Sequence, residues 1–166
     1  DLARANSIWS VAIDAGTGGF VPADLTREID LPPLQSYDYS SPVSDLAFSP
    51  GGNLLLAERS MATDMAPSAH MARVLEYAGG HGNWAPSGAS FLIGQLLPLD
   101  NASGGADYGC PGTDTCNPVA LVWATGDALI WPNDPIYGLQ GLPAAGGSVA
   151  DSYLVDLNGF LDPFNK

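Results

Sequence analysis

The chain has 166 residues and is 46% hydrophobic, so it is long enough to bury a core and is not a disordered acidic tail. It carries 18 acidic and 5 basic residues, a formal net charge of −13. This charge excludes nucleic acid and anionic membranes as natural partners, because phosphates are bound by Lys and Arg. No apolar run reaches the roughly 18–20 residues of a membrane helix, so we expect no transmembrane segment.

Short strands separated by turns are predicted along the whole chain, because 20 Gly and 14 Pro disfavour long helices. Alternating apolar and polar residues predict a first strand over residues 7–14, and a second follows over residues 26–31, stopped by Pro32 and Pro33. Residues 60–69 read as a polar loop.

The clearest signal is the stretch 44–59, in which two apolar runs flank the sequence Ser-Pro-Gly-Gly-Asn. Proline presets φ for a turn and glycine accepts a positive φ, so the chain reverses there. The runs 46–48 and 54–57 are therefore predicted to form a β-hairpin.

Strands over residues 72–77 and 90–94 complete a group of four with this hairpin. Residues 98–118 read as a long loop rich in Gly and Asp, and its length indicates that it is functional or pinned. The most apolar stretch, 120–131, contains Gly126 and Asp127, which indicate a turn or bulge. The last two strands are predicted at 136–142 and 152–157.

The hairpin at 44–59 resembles the repeat of secreted bacterial β-propellers, both the NHL type and the soluble quinoprotein sugar dehydrogenases. The resemblance implies an all-β fold of propeller-like antiparallel blades, about two and a half in number. They would divide into a half-blade and loop (1–42), a blade-like unit (43–97) and a second, degenerate unit (98–166). A closed ring needs at least four blades. The chain is therefore expected to be a fragment of a longer polypeptide, an open stack of sheets, or one part of a ring that partners complete, with a β-sandwich as the structural alternative.

The function expected from these features is that of a non-catalytic binding or assembly module, exported to the extracellular space or periplasm. The chain lacks nucleophile-elbow, P-loop, dinucleotide-binding, zincin and haem-attachment motifs, and it has a single Lys. The alternative is a fragment of a propeller enzyme of the quinoprotein sugar dehydrogenase or lactonase type. The candidate for a catalytic histidine is then His81, although it has no set of basic neighbours in sequence. We predict no catalytic residues, and partners that are other protein chains or the rest of a longer polypeptide.

A disulfide between Cys110 and Cys116 is predicted, because the Pro-Gly that follows Cys110 favours a turn between them. The closed loop is small, so its stabilisation would be at the low end of about 2–4 kcal/mol. The alternative is a pair of free thiols in a reducing compartment.

Two metal sites are considered, and no cofactor other than calcium is expected. Hard oxygen ligands around Gly104 and Gly105 suggest a calcium site, whose residues are Asp100, Asn101, Ser103 and Asp107. All three methionines lie in one window with a histidine, which suggests a Cu(I) site of Met61, Met65, His70 and Met71. The alternatives are a solvated turn for the first set and ordinary gap-filling methionines for the second.

Two further groups of side chains have competing interpretations. Glu58 and Arg59 are read either as a buried pair lining a channel or as a surface ion pair at a strand end. The tryptophans suggest a glycan-stacking platform, although Trp123 lies in the most apolar run and is assigned to the core. The four tryptophans are Trp9, Trp84, Trp123 and Trp131.

Overall fold

The computed structural model describes residues 6–33, 40–63, 65–109 and 120–157, and these ranges are all-β. Within them, a single 3-10 turn at Val149–Asp151 is the only helical element. The strands are β1 Ser7–Ile13, β2 Phe20–Asp30, β3 Val43–Phe48, β4 Leu54–Glu58, β5 Met61–Thr63, β6 Ala66–Pro67, β7 Val74–Gly80, β8 Asn83–Pro86, β9 Ser90–Phe91, β10 Ala102–Gly109, β11 Leu121–Ile130, β12 Ile136–Pro143, β13 Gly146–Gly147 and β14 Tyr153–Asp156. None of the described residues belongs to a helix with the length and apolar character needed to cross a membrane.

The predicted hairpin is confirmed as β3 and β4, paired antiparallel with Phe48 opposite Leu54. Its turn is closed by the amide of Ser49 donating to Asn53 O at 2.8 Å and by the amide of Gly52 donating to Ser49 O at 2.9 Å. Gly52 has a φ of 89°, which glycine adopts without strain. The turn chemistry read from the sequence is therefore the chemistry that reverses the chain.

A six-stranded sheet has the order β13-β9-β7-β4-β3, with β8 also paired to β7. Its central strand β4 is buried along its whole length. Leu55 and Ala57 face one core cluster, whereas Leu54 and Leu56 face a second. The sheet is therefore covered on both faces at β4.

A four-stranded antiparallel sheet follows in the order β10-β11-β12-β14. The pairing of β11 with β12 shifts register between Gly126 and Ile130, which confirms the predicted irregularity at Gly126 and Asp127. The expected loop over residues 98–118 is partly wrong, because residues 102–109 form β10. Their Gly- and Asp-rich sequence pairs with β11, and Ala102 and Ala106 are buried in the core.

The larger core cluster joins the two sheets. It contains Leu55 and Phe91 from the six-stranded sheet and Val122 and Leu142 from the four-stranded sheet. Apolar burial of this kind is the main stabilising contribution, at about 25 cal/mol per Å². The second cluster, on the other face of β4, includes Ile29 at the base of β2.

Strands β1 and β2 form a separate two-stranded antiparallel sheet, here called the ribbon. The first strand lies where the sequence predicts it, and the second is longer, beginning at Phe20. The structure differs from the sequence prediction at two further places. The predicted loop over residues 60–69 contains the short antiparallel pair β5–β6. The strand predicted over residues 90–94 ends at Phe91. Ile8 packs at the base of the ribbon against the second core cluster.

Candidate functional site

A groove of about 280 Å³ lies between the base of the ribbon and the six-stranded sheet. We call it the aromatic groove. Its apolar lining residues are Ile8, Trp9, Leu46, Phe48, Leu54 and Trp84. Several of these side chains are open to solvent: Trp9 is 52% exposed, Leu46 50% and Phe48 63%. Exposed apolar surface in a concave site is typical of an interaction surface.

The aromatic rings of the groove have defined partners. Phe48 and Trp84 lie with ring centroids 6.3 Å apart and planes tilted by 48°. The guanidinium of Arg27 lies 5.8 Å from the centroid of the Trp9 ring, within the range of a cation–π contact. The rings are thus held in place while part of their surface remains exposed.

Glu28 connects the ribbon to the hairpin of β7 and β8. Its Oε1 accepts hydrogen bonds from Ser10 Oγ and from His81 Nδ1, each at 2.5 Å. Its Oε2 accepts from the amide of Gly82 at 2.6 Å and from Trp84 Nε1 at 3.2 Å. The hydrogen bond from Ser10, followed by those from Gly82 and His81, lowers the pKa of Glu28 to about 2.

His81 is therefore a partner of Glu28 at the rim of the aromatic groove. A carboxylate only accepts hydrogen bonds, so Nδ1 of His81 donates to it. Ser10 Oγ is committed to the same carboxylate oxygen, and it lies 3.4 Å from His81 Nδ1. This arrangement fixes the ribbon and does not pair a hydroxyl nucleophile with a base.

Glu58 is fully buried, and its ion-pair partner is Arg73 rather than Arg59. Arg73 donates to the two carboxylate oxygens through Nε at 2.7 Å and Nη2 at 2.6 Å, which raises the pKa of the guanidinium. Arg59 instead donates through Nη1 to the carbonyl of Ser103 at 2.8 Å. Both interpretations of Glu58 and Arg59 as an ion pair are therefore wrong, and the observed pair joins the end of β4 to the residue that precedes β7.

The calcium set extends from the segment just before β10, which contains Asp100 and Asn101, to Asp107 near the end of that strand. Asn101 is fully buried and Asp100 is half-buried, where burial raises the pKa of its carboxyl group. Ser103 and Asp107 lie four residues apart on the strand, and Asp107 Oδ1 accepts from the amide of Tyr108. The calcium site stays a prediction.

The residues of the predicted Cu(I) site differ in how deeply they are buried. Met65 is 94% exposed, whereas Met61 and Met71 are half-buried. His70 Nδ1 lies 2.6 Å from Asn101 Oδ1, so the structure joins one residue of the copper set to one of the calcium set. Across the described ranges, no three His, Cys, Asp or Glu side chains come together as a metal site. The Cu(I) site also stays a prediction.

The remaining candidates are dispersed. Trp9 and Trp84 line the aromatic groove, but Trp131 lies in a different cleft, so the four tryptophans form no single platform. Trp123, assigned to the core from sequence, lies half-buried on the other face of β11, against Gly109 and Gly141. Cys110 and Cys116 lie outside the described residues, and their disulfide stays a prediction.

Sequence reasoning missed Glu28, although it organises the groove. Its hydrogen-bond partners lie 18 to 56 residues away in the chain, so no local motif marks it.

A scan against protein-family models found no match, and searches of curated proteins and of solved structures found none either.

Proposed function

We propose that this chain is an exported, non-catalytic binding and assembly module that docks through its ribbon. One observation carries the proposal: the ribbon presents large apolar side chains to solvent. Ile13 is 64% exposed, Phe20 72% and Leu25 57%. Ile13 and Phe20 face each other across the two strands, so they form one apolar patch near the turn.

The backbone of the ribbon supports the same proposal. Within the described ranges, β1 and β2 pair only with each other. A two-stranded sheet is marginally stable in water, and its unpaired amide and carbonyl groups favour addition of a further strand. The ribbon is anchored at its base, where Asn6 Nδ2 donates to the carbonyl of Ser41 at 2.5 Å and Glu28 accepts from the amide of Gly82 at 2.6 Å. The other end is left for a partner.

The occupant we propose is a β-strand of another protein chain or of a longer polypeptide that contains this one. Main-chain pairing supplies affinity in such β-augmentation, and the apolar side chains supply specificity. The net charge of −13 favours a partner surface that is neutral or basic. Among the strands of the described ranges, β14 is also at the edge of its sheet, and there Tyr153 is 60% exposed and Val155 40%.

We also propose that the sheets are blade-like units of a propeller-like stack. In each sheet the main antiparallel strands follow one another in chain order, as in β3-β4-β7 and β10-β11-β12. This order is typical of propeller blades, whereas a β-sandwich commonly uses Greek-key connections. The short parallel pairing of β13 with β9 ties the two units together.

The test is the state of assembly of the protein expressed in its organism of origin. The ribbon variant carries Ile13→Ser and Phe20→Ser, which remove the apolar patch. The matched control is Leu97→Ser, which removes an apolar side chain that is 78% exposed but lies outside the ribbon. Sedimentation should show the wild type and the control above the monomer mass and the ribbon variant at the monomer mass. Docking onto a separate chain is refuted if all three are monomers, and the role of the ribbon is refuted if the ribbon variant assembles as the wild type does.

A further inference from the structure

A second concave site of about 350 Å³ is lined in part by Leu96, which belongs to the segment between β9 and β10. We call it the His70 cleft. Its lining includes His70, Ser103, Asp127, Trp131 and Tyr137. His70 belongs to the segment before β7 and Ser103 to β10, whereas Asp127 lies in the irregular part of β11. Trp131 directly follows β11, and Tyr137 belongs to β12. The volume is at the lower end of the range for small-molecule sites.

The buried side chain of Asn101 fixes the proton on His70. Asn101 Nδ2 donates both of its hydrogens, to the carbonyls of Ile93 and Leu96, each at 2.7 Å. Its Oδ1 therefore faces His70 Nδ1 at 2.6 Å, and an oxygen there only accepts. Neutral His70 must then carry its hydrogen on Nδ1, which leaves the lone pair of Nε2 for the cleft.

Asn101 also positions Asp127. The backbone amide of Asp127 donates to the carbonyl of Asn101 at 2.8 Å. Asp127 Oδ1 accepts from the amide of Ala128 at 3.0 Å, which leaves Oδ2 directed towards His70. His70 Nε2 and Asp127 Oδ2 lie 4.0 Å apart, too far for a hydrogen bond between them. Both groups are acceptors, so the cleft presents two acceptors with a gap between them.

The backbone around the cleft adopts conformations that cost energy. His70 has a φ of 67° and Ala128 a φ of 47°, both in the left-handed region. Gly94 has a φ of 69°, and the backbone at Gly94 lies close to the backbone of Ala128. A Cβ at position 94 would lie only 2.7 Å from Ala128 O. Strained residues held by their surroundings are concentrated at functional sites.

We propose that the His70 cleft binds a primary ammonium group carried on an alkyl chain. A tetrahedral ammonium placed between Nε2 and Oδ2 donates one hydrogen bond to each, at normal lengths for a gap of 4.0 Å. The carboxylate of Asp127 balances its charge. The Trp131 ring, 43% exposed, offers a face for the alkyl chain and for a cation–π contact.

The same two acceptors disfavour anions, quaternary ammonium groups and single hydroxyl groups as ligands. A carboxylate or phosphate would meet two acceptors and the net charge of −13. A quaternary ammonium has the charge but no hydrogen to donate. A single hydroxyl donates one hydrogen bond and leaves the other acceptor unpaired. The ammonium belongs either to a free alkyl diamine or to a lysine side chain, which share this donor geometry.

The experiment is a titration of the chain, labelled with 15N in its histidine rings, at pH 8. The probes are 1,4-diaminobutane and Nα-acetyl-lysine amide, and the controls are 1,4-butanediol and tetramethylammonium. We expect saturable shifts of His70 Nε2 with at least one amine and none with the controls, while His81 serves as an internal reference. Tighter binding of the diamine identifies a free diamine, and tighter binding of the lysine derivative identifies a lysine side chain.

The matched variants are Asp127→Asn and Asp134→Asn. Both remove one negative charge, but Asp134 lies outside the cleft lining and has a φ of 49°, which asparagine tolerates well. Loss of the charge at Asp127 should weaken amine binding about tenfold or more, and the Asp134 variant should bind as the wild type does. The inference is overturned if neither amine shifts His70 in the wild type, if butanediol shifts it equally, or if both variants bind alike. The titration of the wild type alone decides the matter if Asp127→Asn does not fold.

Discussion

Replacing Glu58 by alanine should destabilise the fold strongly, because it removes one member of a buried ion pair. Arg73 loses three hydrogen bonds to the carboxylate, from Nε, Nη2 and its own amide. It keeps the bond from Nη2 to the carbonyl of Pro32 at 2.9 Å. The Arg73 side chain is 16% exposed, so most of its charge is left without compensation.

Removing one partner of such a pair costs about 3–5 kcal/mol. For a chain of 166 residues this corresponds to a fall in Tm of roughly 6–20 °C. The control is Asp30→Ala, which breaks the exposed pair of Arg27 and Asp30, with side chains 51% and 61% exposed. It should cost less than about 1 kcal/mol, because water screens exposed charges.

Urea unfolding followed by circular dichroism measures both free energies of unfolding. The double variant Glu58→Leu and Arg73→Met should lose less stability than Glu58→Ala alone, since it leaves no buried charge. If Glu58→Ala costs no more than Asp30→Ala, the reasoning from burial is refuted.

Three other perturbations have defined outcomes. The pKa of Glu28 is lowered from 4.5 to about 2, so its contribution to stability is complete above pH 4.5 and is lost as the pH falls towards 2. The protection factors of the ribbon amides, corrected for the intrinsic exchange rate at each pH, should fall across that window, and unchanged protection factors would contradict this. Asn101→Ala should cost about 1–3 kcal/mol in thermal unfolding, because the carbonyls of Ile93 and Leu96 each lose one of two donors and His70 Nδ1 loses its acceptor. Gly109→Ala should lower the free energy of unfolding by about 1–3 kcal/mol, because its Cβ would lie 2.5 Å from Trp123 Cδ1. The control Gly80→Ala should cost less, since no heavy atom lies within 4 Å of a Cβ there. Equal losses of stability in the two variants would contradict the packing.

Local chemistry explains which elements were predictable from the sequence. The hairpin of β3 and β4 was predictable because its turn residues determine the reversal between two apolar runs. The irregularity in β11 was predictable because Gly126 and Asp127 interrupt a long apolar stretch. Strand β10 was not predictable because its two buried side chains are small alanines, Ala102 and Ala106, and they lie among glycines that give no apolar pattern.

The sites depend on contacts between distant segments, and these were beyond sequence reasoning. Glu28 meets His81 across 53 positions, and His70 meets Asn101 across 31. Both histidines and Asn101 had been noticed as chemically capable residues. Their partners are set by how the ribbon and the segment before β10 pack on the sheets, which no spacing in the chain encodes.

Hydrogen exchange of the ribbon amides, in the isolated chain and in the native assembly, tests the central claim most directly. In the isolated chain, β1 and β2 should exchange much faster than the central strand β4, because two strands alone are marginally stable. In the assembly, the ribbon should gain protection from the added strand. A well-folded monomer whose ribbon is already as protected as β4 would contradict the account, because such a domain would have no open edge for a partner.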